Sequence, residues 1–222
     1  MAQPTTTRTA QIIGLGTHRF GLSHPIIRDV TRYWDGLRQG RLLPARSDVR
    51  PTAIMGALGH TFMLERSTAG HVRLRLAGAH LHEVMGMEVR GMPLRAFFAL
   101  EERAALMAQM GTMFDTPHAL ALGLRAEPCG GTRDAPLTGQ MVILPLTDRD
   151  GTANRAIGVL VTEGRIGLTP RRFTIALCHA VPIARGRCLG TMADPLPLDG
   201  QIAAIPPIPG QPVLTLIKGG RG

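Results

Sequence analysis

The sequence predicts an α+β domain: a five-stranded antiparallel sheet with short helices on one face and an amphipathic helix ahead of it. Three features carry this reading. Ile26, Ile27, Val30, Trp34 and Leu37 fall on one face at helical spacing. Residues 71–76 alternate polar and apolar without a break. Residues 137–161 read as two long apolar strands around the turn Asp148-Arg149-Asp150-Gly151.

Taken in order, residues 1–22 are polar and punctuated by glycine, with a weak apolar patch at Ile12, Ile13 and Leu15, and read as a flexible arm. Gly14-Leu15-Gly16 followed by Gly21 has the look of a dinucleotide loop. The third glycine belongs at position 19, which is Arg19, and no strand precedes it. A helix follows over 25–38. Ser23 or His24 caps it, Pro25 sits where its missing N–H costs nothing, and Gly36 and Gly40 offer left-handed stops. A short helical turn is expected around 51–58.

From Gly59 the apolar period changes from helical to alternating. Residues 61–65 and 71–76 form a hairpin across the turn 67–70, with Val72, Leu74 and Leu76 facing the core and Arg73 and Arg75 facing water. A short helix over 80–85 closes at Gly86. Helical pieces at 94–98 and 100–113 follow, with Ala104, Met107, Met110 and Phe114 as the buried stripe. Residues 118–125, 137–146 and 156–161 complete a meander. The domain so defined spans 23–164, with its sheet and crossover helices in 59–164. Residues 165–222 form a Pro/Gly-rich extension in which 171–184 could add one strand or helix.

Composition narrows the function classes. Hydrophobic residues make up 44% and aromatics only 4%, so Leu, Val, Ile, Ala and Met must build the core. Apolar runs reach only about eight residues, too few to span a bilayer as a helix, and no apolar leader stands at the start. A cytoplasmic protein is expected. The net charge of +9 suggests nucleic acid, yet residues 51–164 carry 10 basic and 11 acidic side chains. The excess therefore sits in the flanks, where no aromatics interleave to stack bases. A solvated periphery is the better reading, with a nucleic-acid-associated regulator as the alternative. The three cysteines, Cys129, Cys178 and Cys188, lack paired spacing, and Cys178-His179 with Cys188 lacks a fourth ligand.

One string is more specific than any of these patterns: Tyr33-Trp34-Asp35-x-Leu37-Arg38-x-Gly40-Arg41-Leu42-Leu43-Pro44-x-Arg46-Ser47-Asp48. Phe62-Met63-Leu64-Glu65, Arg73-Leu74-Arg75-Leu76-Ala77-Gly78 and Gly86-x-Glu88-x-x-Gly91 follow it in order. Over about residues 26–164 the chain resembles a PAS domain, in particular the bacterial single-PAS family labelled the fifth PAS-fold type. The resemblance implies a sensory or regulatory module without catalytic activity. Such a module works through a partner protein or a homodimer, with a small-molecule ligand as a further possibility. It makes the stretch around Trp34 a lid on the sheet and Ile26, Val30, Tyr33, Trp34 and Leu37 an interface, since PAS domains commonly dimerise through this helix. It also points to a pocket lined by His80, Met85, Phe97, Phe98 and Met107.

A haem-binding sensor is a second alternative, since some PAS domains hold haem through a histidine here, although His80 and His82 stand two apart and face different ways. A flavin photosensor needs a reactive cysteine in the crossover, and residues 78–116 contain none. The methionines at 85, 87, 92, 107, 110 and 113 read as core packing rather than a soft-metal site. No cofactor is required by the sequence.

Overall fold

A computed structural model describes residues 24–128, 135–186 and 188–189. The expected arm 1–22, Cys129 and the proline-rich tail from residue 194 lie outside the described residues. Helix α1 (Pro25–Arg38) leads through 3-10 segments Arg46–Asp48 and Pro51–His60 into strands β1 (Thr61–Arg66) and β2 (Val72–Ala77). Helix α2 (Ala79–Met85), 3-10 turns Leu94–Phe97 and Leu100–Glu102, and helix α3 (Arg103–Asp115) form the crossover. Strands β3 (His118–Ala126), β4 (Leu137–Thr147), β5 (Ala153–Glu163) and β6 (Thr174–Pro182) complete one antiparallel sheet, ordered β2-β1-β5-β4-β3-β6.

The sheet therefore has six strands rather than five. The sixth pairs with β3 from His118↔Pro182 to Arg125↔Thr174. Its lead-in is tied to the crossover helices: Arg171 N–H donates to Val84 O at 2.9 Å and Phe173 N–H to Phe97 O at 2.8 Å. Phe173 is buried in the core, and the buried guanidinium of Arg171 donates to Ile166 O and Ala126 O. Residues 171–182 thus belong to the domain beyond the expected boundary at 164.

Alternation divides the apolar side chains between two faces. Phe62, Leu64, Leu74, Leu120, Leu122, Leu124, Met141, Ile143 and Leu160 point inward, against α2, the 3-10 turns and α3. Met63, Val142, Leu144, Leu146, Ile157, Val159 and Val161 point to the outer face, beneath α1 and the Pro51–His60 segment. Helices cover both faces, which is why β4 and β5 are continuously apolar.

Two patterns depart from expectation. The α3 stripe is rotated: Leu106, Met110, Met113 and Phe114 are buried, Met107 is half-buried and Ala104 is exposed. In β2 a bulge intervenes. Met63 pairs with Leu76 but Leu64 with Leu74, so Arg75 is the extra residue and Leu76 flips to the outer face, 48% exposed.

Candidate functional site

The lid is built from the string that marked the sequence. His24 caps α1, its Nδ1 accepting from Ile26 N–H at 3.3 Å, and Gln39 and Gly40 end it in left-handed conformations. Gly36 stays helical. Ile27, Val30 and Trp34 are buried against the outer face of the sheet, each contributing roughly 1.5–3 kcal/mol. Trp34 is the anchor: its indole N–H donates to Pro145 O on β4 at 3.0 Å. The stripe that the resemblance made an interface is thus largely covered by the protein's own sheet. Ile26, Tyr33 and Leu37 remain half-buried at its margin.

Polar residues of the same string form a clasp. Asp35 and Arg38 make a buried ion pair at 3.2 Å, with Arg38 lying over the Trp34 ring at 5.4 Å. The other Asp35 oxygen accepts from Leu189 N–H at 2.7 Å, and Arg38 donates to Ala184 O. Arg41 pairs with Asp48 at 2.7 Å, holding that carboxyl below the usual range, while Asp48 accepts from Ala45 N–H. Tyr33 Oη accepts from Arg50 N–H at 2.7 Å. The clasp joins α1 to the chain segment that leaves β6.

The residues expected to line a pocket divide between the inner core and a separate histidine site. Met85, Phe97 and Phe98 are fully buried in the inner core, with Met107 half-buried beside them. Phe62 lies across Gly158, where a Cβ would collide with its ring. His80 is elsewhere, beside the C-terminal end of β5. Its Nε2 shares a hydrogen bond with Thr162 Oγ1 at 3.1 Å, and its Nδ1 faces Glu83 at 3.5 Å. With its Nε2 bonded to Thr162 and its Nδ1 facing Glu83, His80 is not set up as an axial haem ligand. Among the described residues, no group of three His, Cys, Asp or Glu side chains is placed to hold a metal ion.

Sequence reasoning missed a histidine cluster at the start of α1. The His60 and His80 ring centroids lie 4.5 Å apart with the rings tilted by 47°, and His24 feels the charges of His60, Glu163 and Arg28. Burial, then His60, pushes both His24 and His80 below the ordinary value of 6.5, against the opposing pull of Glu163 and Glu83 respectively. Unfolded, these histidines take up protons at higher pH than folded. Stability should therefore be full above about pH 6.5 and fall as pH drops towards their lowered values. Urea midpoints between pH 8 and pH 5.5 should show this decline, and a His24→Asn/His80→Gln double variant should flatten it. An equal decline in the variant would place the effect elsewhere.

The outer face carries a groove. It has a volume of about 390 Å³ and runs between the Pro51–His60 segment and β1–β2, reaching Gly78 and Ala79 at the start of α2. No described helix is long and apolar enough to cross a membrane.

Solved structures similar to this chain include light-oxygen-voltage domains. The Rhodobacter sphaeroides LOV protein is 18% identical, with a TM-score of 0.37 over 49% of this chain and 61% of that one, so under two thirds of its length is spanned. A light-oxygen-voltage domain studied with a flavin analogue is 16% identical, with a TM-score of 0.39 over 51% and 84%. The light state of the blue-light photoreceptor Aureochrome1 LOV is 14% identical, with a TM-score of 0.38 over 51% and 88%. No curated protein matches the sequence. The PAS domain family matches residues 22–161, from just before α1 to the end of the apolar run of β5. With well over half its length matched, and the Trp34 string, the hairpin and the meander in their expected order, the chain belongs to the PAS domain family.

Proposed function

We propose that this PAS domain is a non-catalytic regulatory module of bacterial signal transduction. It acts by self-association or by docking to a protein partner, and movement of α1 against the sheet carries its signal. The observation that supports this reading is the clasp. Asp35 and Arg38 bind α1 to Ala184 and Leu189, so a displacement of the lid is felt at once by the segment leaving the sheet. A buried ion pair is costly unless its remaining hydrogen-bonding capacity is met, and here backbone groups of that segment help to meet it.

Hydrogen exchange tests the coupling. Asp35→Asn should raise exchange in α1 and in residues 183–189 together, by at least tenfold at the amides of both. Sedimentation equilibrium of the full chain should show a reversible dimer. Independent exchange of the two segments in a chain that stays monomeric at all concentrations would overturn the reading.

A further inference from the structure

The outer groove is a built feature. Its floor is a cross-strand row, Leu76–Met63–Ile157, running from β2 through β1 to β5. Met63 and Ile157 are buried, but the bulge at Arg75 leaves Leu76 half-exposed at the open end. Leu58 is 38% exposed and lines the groove from the Pro51–His60 segment, with Ile54 buried beneath. That wall is held against the start of α2 by a close backbone approach at Gly78.

The charge of the lining is one-sided. Arg46 is its only charged residue, and no acidic side chain faces it there. The nearest carboxylate in sequence, Asp48, is engaged by Arg41, and among the described residues Arg46 makes no ion pair. An apolar trough with one unpaired guanidinium suits a molecule carrying an apolar chain and a single carboxylate, which a guanidinium grips bidentately. The volume of about 390 Å³ falls within the range of small-ligand sites, about 300–1,000 Å³.

We propose that this groove binds a medium-chain carboxylic acid, its carboxylate on Arg46 and its chain along Leu58, Met63 and Leu76. The site lies on the face of the sheet opposite the packed pocket residues Met85, Phe97 and Phe98. The inference rests on the regulatory reading and deepens it by naming a ligand class, yet the groove's lining shares no residue with the Asp35 and Arg38 contacts to Ala184 and Leu189.

Calorimetric titration of the full chain tests it, with sodium decanoate and decyltrimethylammonium each kept below micelle formation. Decanoate should bind saturably with one site per chain, and the cation of equal chain length at least tenfold more weakly. Arg46→Gln should weaken decanoate binding about tenfold, and Leu76→Asp, at a half-exposed position, should abolish it while the circular dichroism spectrum is retained. Leu58→Gln provides a second variant on the facing wall and should weaken binding several-fold. No saturable heat with decanoate, equal binding of the cation, or unchanged affinity in the variants would overturn the assignment. So would a wild-type dimer that Leu76→Asp dissociates, since the groove would then be an interface between copies. Decanoate binding by the wild type together with independent exchange of α1 and residues 183–189 in Asp35→Asn would sink the signalling reading and keep the site.

Discussion

Trp34→Ala should cost about 3–5 kcal/mol of folding stability, the range for removing a large aromatic from a close-packed site. The ring is fully buried between α1 and the outer face of the sheet, in one apolar cluster with Ile27, Val30, Leu144 and Ile157. Truncation opens a cavity, removes the platform under the Arg38 guanidinium, and leaves Pro145 O inside β4 without its donor. Trp34→Phe separates these contributions. It keeps most of the apolar volume and still orphans the carbonyl, so about 1–3 kcal/mol should be lost. Far-ultraviolet circular dichroism in urea is the suitable readout, because the substitutions remove the only tryptophan. For a domain of ordinary stability, about 5–15 kcal/mol, the alanine variant loses a large fraction of the total. A loss below about 1 kcal/mol would mean that α1 is not docked on its own sheet and its stripe is free to bind another chain. The two roles of the helix, lid and dimerisation element, thus make different numerical predictions for one substitution.

The lid was largely legible, because helix α1 carries several independent signals. Pro25, the spacing of Ile27, Val30 and Trp34, and the left-handed stop near Gly40 all agree. The roles of Asp35, Arg38, Arg41 and Asp48 were not. Each makes contacts with backbone groups, some more than a hundred residues away, as Asp35 does with Leu189, and charged residues on a helix ordinarily read as a solvated face. Strand β6 was ambiguous for a related reason. It is an edge strand with much of its surface in water, so its apolar residues Ile175, Leu177 and Val181 are interrupted by Cys178 and His179. The misplacement of Leu76 has a sharper cause. Strict alternation assumes an unbroken ladder, and one extra residue at Arg75 reverses the side of everything beyond it. The groove was invisible in the sequence because it depends on that bulge and on the 3-10 path of residues 51–60. The histidine cluster was hidden likewise: His24, His60 and His80 lie far apart in the chain.

Gly78→Ala isolates the packing that gives the groove its wall. Gly78 sits at φ −73° and ψ 164°, a conformation that alanine adopts without strain, so backbone preference alone would favour the substitution by about 0.4–1 kcal/mol. The obstacle is contact. A Cβ at this position would run into the backbone of Leu58 and Gly59, which cannot rotate away as a side chain can. The Pro51–His60 segment must then move off the β2–α2 junction, against hydrogen bonds from Gly78 N–H to Thr61 O at 2.8 Å and from the Thr61 hydroxyl to Ala57 O at 2.8 Å. Overpacking of this kind costs about 1–3 kcal/mol, and with main chain on both sides the upper half of that range is expected. Gly36→Ala is the matched control: a Cβ there meets nothing within 4 Å, and the residue lies exposed inside α1. It should stabilise by about 0.5–1 kcal/mol. Opposite signs in urea midpoints for the two glycine-to-alanine variants would tie the loss at Gly78 to the close approach. Equal signs would mean that the 51–60 segment yields freely, and a wall so compliant could not hold Leu58 opposite Leu76 as a shaped site.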